Sequence, residues 1–363
     1  MERPLSAVDL HYLVAEFQCL LDGKVEKVYQ WDRDFIFRLF CGSKKHLRLD
    51  PSGIVHLTKK KYKGPKFPVG YCTFLRKYLQ GARIRKVYQE GFERVLVIVF
   101  ESRVYGELYL IAELFGQGNL VLCKEEEGKL VVIHPLERQK LKDRSVESKK
   151  EYIFPPARLN VKKASDEEFF ELMESDKDIG RFIASDLGLG GTYSEELVTR
   201  LSLDKSKPIK ELNVKKELIN AVRTLLEEEL SPFTLKENAY PIALKSINRG
   251  KDYDSFNDAL DSFFEGYSGD LVKESKPSEK KDKLQTMIET QEKRIKQLER
   301  ESEENQRIAE FIYEKYADFQ KLLDALDKVR KKEGWKRVEE KVKELENYRS
   351  YDKKNKKLTL EFK

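Results

Sequence analysis

Ile111-Ala-Glu-Leu-Phe-Gly-Gln-Gly-Asn-Leu-Val-Leu122 sets two short apolar runs on either side of Gly116-Gln117-Gly118-Asn119. Glycine enters positive φ without a Cβ clash, so the pattern predicts strand, tight turn, strand. Just upstream, Gly91-Phe92-Glu93-Arg94 leads into Val95-Leu-Val-Ile-Val-Phe100, an unbroken apolar run that predicts a buried strand. Earlier runs at 24–29, 35–40, 46–49 and 54–57 alternate between short turns and predict an antiparallel sheet. Ser6 to Leu21 predicts an amphipathic helix, with Leu10, Leu13, Val14, Phe17 and Leu21 on one face and Gly23 beyond its end. A second helix is expected over Tyr71–Leu79, and further strands around Val87, Leu108–Leu114 and Leu120–Cys123. The segment Leu130–Phe154 then closes a first domain at Pro155-Pro156.

Beyond it, helices are expected over Ser165–Glu174 and Ile179–Leu187. Gly188-Leu-Gly-Gly191 follows, and the T-x-x-E capping box Thr192–Glu195 predicts the start of a helix ending near Leu201. Helix, glycine turn, helix is the pattern of a helix-hairpin-helix. A helix over Lys216–Leu230, a β-like stretch Tyr240–Ser246, a helix Ser255–Phe264 and a linker Glu274–Lys281 complete this part. Then Leu284, Ile288, Gln291, Ile295, Leu298, Ser302, Asn305, Ala309, Ile312, Tyr316, Phe319, Leu323 and Leu326 recur at alternating spacings of four and three. That is a coiled-coil seam, whose polar members fix register and partner. A seam needs a facing helix. The helix Val338–Leu345 is too short to supply it, and Leu358–Phe362 reads as a strand that begins something and then stops. The expectation is a fragment, or a partner helix from a second copy. The expected domains are 1–160, 161–235, 236–275, 276–349 and 350–363.

The 363 residues include 70 Lys+Arg against 64 Asp+Glu, so the net charge is a modest +6 at a charged fraction of 37%. Lysine is locally dense: Lys44, Lys45, Arg48, Lys59, Lys60, Lys61, Lys63 and Lys66 face a single acid, Asp50, across 44–66. Cys19, Cys41, Cys72 and Cys123 are scattered without C-x-x-C spacing. This excludes a zinc ribbon and a disulfide framework and suits a reducing, cytoplasmic setting. No apolar run approaches the roughly 18 residues of a membrane span. His11, His46, His56 and His134 are dispersed, and no P-loop, His-Glu metal box or Ser/His/Asp set is present. Catalytic residues, metal and cofactor are therefore not expected.

Taken in order, these pieces resemble the NFACT family, which includes the fibronectin-binding-protein-A-like proteins and the tailing factor of ribosome-associated quality control. The matching residues are Asp9 in the opening helix, Gly91-Phe92-Glu93-Arg94, the Glu113–Leu122 hairpin, Leu187–Gly191 with its following helix, Tyr253–Phe264 and the heptads. The resemblance implies an α+β fold: an antiparallel-sheet NFACT-N domain like the N-terminal fold of DNA glycosylases, a helix-hairpin-helix module, and a long coiled-coil helix. The family adds a second arm helix and an NFACT-R domain. It also implies binding to obstructed large ribosomal subunits that carry peptidyl-tRNA, with recruitment of tRNA for tailing without mRNA. Peptide transfer then belongs to the ribosome, not to this chain. The glycosylase chemistry is not expected, because Met1 precedes Glu2, Pro4 is internal and no cysteine pair could hold zinc.

By the same resemblance Asp9, Glu93 and Arg94 face tRNA, although the family has Asp where this chain has Glu93. Asp9 equally suits a first-turn cap, and Arg94 either pairs with a carboxylate or clamps a phosphate. Lys59, Lys60 and Lys61 are a solvated loop or an RNA contact. Gly188, Gly190 and Gly191 make a tight turn or offer N–H groups to a phosphate. The seam Leu284, Ile288, Ile295, Leu298, Ile312, Tyr316, Phe319, Leu323 and Leu326 faces the missing second helix or a homodimer partner. Two other readings are a catalytically inactive nucleic-acid-binding module acting off the ribosome, and an adhesion protein.

Overall fold

A computed structural model describes residues 5–60, 70–141, 143–236, 238–264, 277–345, 347–352 and 357–361, with backbone alone at 277–294, 301 and 357. The chain divides into two units, Met1–Lys273 and Glu274–Lys363. In the first, helix α1 (Ala7–Phe17) opens on a capping box: the Ser6 hydroxyl accepts from the Asp9 amide, and the Asp9 carboxylate accepts from the Ser6 amide. Its buried face carries Val8, Leu10, Leu13 and Phe17.

Two antiparallel meanders follow. The first is β1 (Lys24–Trp31), β2 (Asp34–Cys41), β3 (Ser43–Asp50) and β4 (Ile54–Thr58). After helix α2 (Tyr71–Leu79) come β5 (Arg83–Gln89), β6 (Val95–Ser102), β7 (Gly106–Glu113), β8 (Asn119–Glu126) and β9 (Lys129–Pro135). Among the described residues the nine join in the order β4-β3-β2-β1-β5-β6-β7-β8-β9, with β1 and β5 sharing one residue pair, Lys24 and Arg83. Inward residues of both meanders, such as Phe35, Phe37 and Leu49 with Ile98, Phe100 and Leu122, pack into one core with α1.

The quoted hairpin closes this arrangement. Gly116 and Gly118 both have positive φ, as the turn requires. Gly118 also lies against the β3–β4 turn, where a Cβ would fall on the Pro51 carbonyl oxygen. The Arg33 guanidinium, from the β1–β2 turn, donates to the Gln117 and Gly118 carbonyls at 2.7 and 2.9 Å. Buried Asn119 bridges to Glu137, its carboxamide donating to the Glu137 carbonyl and accepting from the Glu137 amide. On the opposite face of β6–β9, Val95, Val97, Val99, Ile111, Val121 and Cys123 form a second cluster with Val146 and Tyr152. Burial on both faces explains why Val95–Phe100 is uniformly apolar rather than alternating.

Both margins of the sheet are covered. The outward β4 amide of Leu57 donates to Asn257 Oδ1 at 2.6 Å, and the next outward amide, Lys59, donates to Asp261 Oδ2 at 2.9 Å. Both acceptors lie on helix α7 (Phe256–Phe263). At the other margin the 149–152 segment bonds to β9 through Val132 and Leu130.

Between these lie the short pair β10 (Gln139–Lys140) and β11 (Ser145–Val146), then α3 (Asp166–Leu172), the one-turn α4 (Ile179–Arg181), α5 (Gly191–Arg200) and α6 (Lys215–Glu227). A small sheet of β12 (Phe233–Leu235), β13 (Asn238–Tyr240) and β14 (Lys251–Asp252) precedes α7. The main core runs from Leu5 to Phe264 and takes in α3 to α7, β12 and β13. Two expectations change. The helix over Ile179–Leu187 is a single α turn followed by a π turn, Phe182–Asp186. The strand over Tyr240–Ser246 ends at Tyr240, because Pro241 has no N–H to extend the ladder.

In the second unit α8 (Pro277–Glu314) begins inside the stretch expected to be a linker, and α9 (Tyr316–Lys343) follows after a break at Lys315. Gly334, at φ 79° and ψ 178°, interrupts α9. Val338 and Val342 beyond it are buried. The strand expected near the end is one arm of a hairpin, β15 (Tyr348–Asp352) with β16 (Lys357–Leu360). Of the seam, Leu284 and Ile288 have side chains outside the described residues. Ile295, Leu298, Ile312, Tyr316 and Leu323 are 47–62% exposed, and Phe319 and Leu326 are half-buried.

Two outcomes follow for stability. Gly118→Ala combines positive-φ strain with a backbone overlap and is expected to cost about 3 kcal/mol in urea unfolding. Gly116→Ala, with open space around it, is expected to cost about 1 kcal/mol. Burial alone would raise the Asp261 pKa, but the nearby His56 ring, at 3.5 Å, the Lys59 amide, which donates at 2.9 Å, and Thr58 outweigh it and hold it at about 2. A depressed carboxyl pKa stabilises the fold above the unfolded value of 3.8 and stops doing so as pH falls toward 2. Acid titration of Asp261→Asn should therefore lack part of the stability loss seen in the parent chain between pH 4 and 2.

Candidate functional site

The first turn of α1, the turn between β5 and β6, and the start of α5 meet at one cleft. Asp9 lies behind it rather than in it, at 1% exposure. One of its carboxylate oxygens accepts from the Ser6 amide at 2.7 Å and the Ser6 hydroxyl at 2.8 Å. The other accepts from the Tyr193 hydroxyl of α5 at 2.6 Å. A buried carboxylate is tolerable only with its lone pairs occupied, and the Ser6 and Tyr193 donors of two elements serve that end.

The glycine turn brings α5 to the same place. Gly188 and Gly190 have φ of +72° and +83°, so side chains at either would be strained. The helix starts at Gly191 with Gly190 as its N-cap, and no side chain caps it. The capping box expected over Thr192–Glu195 therefore does not form: Thr192 is already inside the helix, and Glu195 pairs with Lys205 at 2.9 Å. The first turn of α5 lines the cleft without a side-chain cap, and a helix start in this state favours an anion.

The β5–β6 turn is held by Gln89, whose carboxamide donates at 2.9 Å to both the Ala7 and the Glu93 carbonyls. Its far end is tied to the quoted hairpin, with the Leu114 amide donating to the Arg94 carbonyl at 2.8 Å. Glu93 turns to Arg158, accepting from its amide at 3.0 Å and from its guanidinium at 3.5 Å. Arg94 lines the cleft beside Arg158. Burial first, and then the neighbouring Arg158 charge, lower the Arg94 pKa against the opposing pull of Glu93. Arg94 and Arg158 thus lie beside an uncapped helix start, with Glu93 bonded to Arg158. The cleft, about 370 Å³, is lined by these arginines, Ser6, Ala7, Ala184, Gly188–Gly191, Thr192 and Tyr193.

The structure brings together Arg94, Gly188, Gly190 and Gly191, sets Glu93 at their edge, and places Asp9 beneath. Arg158 was not legible beforehand. It is a single arginine in an irregular segment, and its only signal is Pro155-Pro156, which stiffens the chain just before it. Lys59 and Lys60 lie elsewhere, against α7. The Lys59 amide is bonded to Asp261 and its ammonium to Asp258 at 2.5 Å. Lys61 is outside the described residues. Among the described residues no group of three or more His, Cys, Asp or Glu is placed to hold a metal, and no helix is long and apolar enough to cross a membrane.

Asp9→Ala strips the α1 cap and leaves the Tyr193 hydroxyl without its buried acceptor. Denaturant unfolding should register a loss of about 2–3 kcal/mol. Tyr193→Phe, which removes one donor, should cost about 1 kcal/mol.

The archaeal Rqc2 homolog aRqcH of Methanocaldococcus jannaschii is 30% identical over 373 residues, covering 95% of this chain and 55% of that protein. The Rqc2 homolog RqcH of Bacillus subtilis is 24% identical over 320 residues, 80% of this chain and 54% of that one. The chain thus spans about half the length of these relatives. The N-terminal part of the fibronectin/fibrinogen-binding protein from Streptococcus suis shares the fold at a TM-score of 0.60 and 23% identity, covering 72% of this chain and 99% of that one. Residues 6–360 match the family described as NFACT N-terminal and middle domains, and the chain belongs to that family.

Proposed function

We propose that this chain is the RNA-binding portion of a cytoplasmic ribosome-associated quality-control factor. In this reading it recognises large ribosomal subunits obstructed by peptidyl-tRNA and recruits tRNA for mRNA-independent tailing, with the ribosome performing the peptide transfer. The observation that carries it is the cleft: Arg94 and Arg158 beside the uncapped start of α5 form a compact cationic surface suited to a nucleic-acid backbone. The relatives' names support the ribosomal setting. The turn at Gly188–Gly191 acts as the hairpin of a helix-hairpin-helix, and α8–α9 act as the first helix of a coiled-coil arm. The exposed seam residues take a second arm helix or a second copy. Asp9 contributes by shaping the cleft.

Sedimentation with purified large subunits, with and without bound peptidyl-tRNA and at two salt concentrations, tests this. The expected result is co-sedimentation that strengthens with peptidyl-tRNA and weakens steeply with salt. Arg94→Glu should remove that preference while leaving the melting curve unchanged. Equal binding to duplex DNA or empty subunits would point instead to a nucleic-acid module acting off the ribosome.

A further inference from the structure

We propose that the cleft is a phosphate-binding site in which Arg94 and Arg158 hold the phosphate, and that Glu93 is a positioning residue for Arg158 rather than a contact to RNA. The inference rests on the reading that RNA binds at this cleft, and it assigns the chemistry within it.

Three observations lead here. First, the two arginines line one small cavity, and Glu93 directs both of its oxygens to Arg158, one to the main-chain amide and one to the guanidinium. A carboxylate engaged in this way, and only 17% exposed, is turned away from an incoming polyanion. It would also repel one. Second, Gly188 is shaped for Arg158: a Cβ there would stand 3.0 Å from the Arg158 Nη1. The guanidinium thus lies directly against the turn. Third, neighbouring like charges are unfavourable unless an anion joins them. Here burial and then the Arg158 charge lower the Arg94 pKa, while the neighbouring carboxylate, Glu93, is bonded to Arg158. A phosphate fits this need, because its oxygens accept from planar guanidinium forks and from helix-start N–H groups together. Gly190 and Gly191 let that start approach without side-chain obstruction.

The roles separate by sign. Removing a carboxylate from a polyanion site normally tightens binding, whereas removing a positioning carboxylate weakens it. The test uses the 363-residue chain in two assays. One measures the melting midpoint with inorganic phosphate against chloride at equal ionic strength. The other measures tRNA binding as a function of salt. Phosphate should stabilise the parent chain but neither Arg94→Ala nor Arg158→Ala, and Arg158→Ala should flatten the salt slope by about 1. Arg158→Lys keeps the charge and the slope but loses the fork, so it controls for folding. Glu93→Gln should weaken tRNA binding, and adding it to Arg158→Ala should cost nothing more. Tighter binding by Glu93→Gln, or losses from the two variants that simply add, would overturn the positioning role. Equal phosphate stabilisation of parent and Arg158→Ala, or none of either, would overturn the site. Phosphate stabilisation that needs both arginines, alongside tRNA binding that needs neither, would keep the site and sink the RNA reading instead.

Discussion

The arrangement depends on a carboxylate removed from water. Asp9 is buried at the base of α1, and its charge is sustained by the Ser6 amide and hydroxyl and by the Tyr193 hydroxyl from 184 residues away. An ionised group in such a place is very costly without partners, so the two helices that supply them are held in register with each other. The sheet domain and the glycine turn thereby acquire a fixed relation. Around that point Gln89 ties the β5–β6 turn to α1, and Glu93 ties the following chain to the turn. The cleft is the gap left between α1 and α5, which the Asp9 carboxylate joins, and the β5–β6 turn, which Gln89 holds against α1.

Features governed by neighbours in sequence were legible beforehand. The Ser6–Asp9 capping box, the apolar run Val95–Phe100 and the glycine hairpin all express themselves within a few residues. They appear where the pattern places them. What sequence did not reveal was set by distance. The turn Thr192–Glu195 satisfies a capping pattern, yet the helix begins earlier because two positive-φ glycines deliver the chain into it at Gly190. Lys59 looked like part of a free basic loop, but its amide belongs to a sheet margin and is claimed by α7. Arg158 carries no local pattern, and its importance comes from Glu93, sixty-five residues earlier. For Asp9 both readings offered by sequence were compatible, and the geometry gives it a supporting position beneath the cleft.

The second unit follows a different logic. The heptad spacing of α8 and α9 leaves isoleucine, leucine and tyrosine half exposed along helices whose remaining surface is strongly charged. A long helix of this kind gains most of its stability from what covers its apolar stripe. The break at Gly334 uses the one residue type that enters φ near +80° without strain, and beyond it buried Val338 and Val342 give the last turns a small packing surface of their own.

The covered margins of the main sheet have a consequence for the company this protein keeps. An open strand edge is a template on which any extended peptide can add itself through main-chain hydrogen bonds. Here Asn257 and Asp261 occupy the outward amides at one edge, and residues 149–152 occupy the other. In the proposed setting the chain works beside unfinished polypeptide, which is unfolded and rich in unpaired backbone. Where these contacts lie, the main sheet offers such a peptide fewer free amides on which to add a strand.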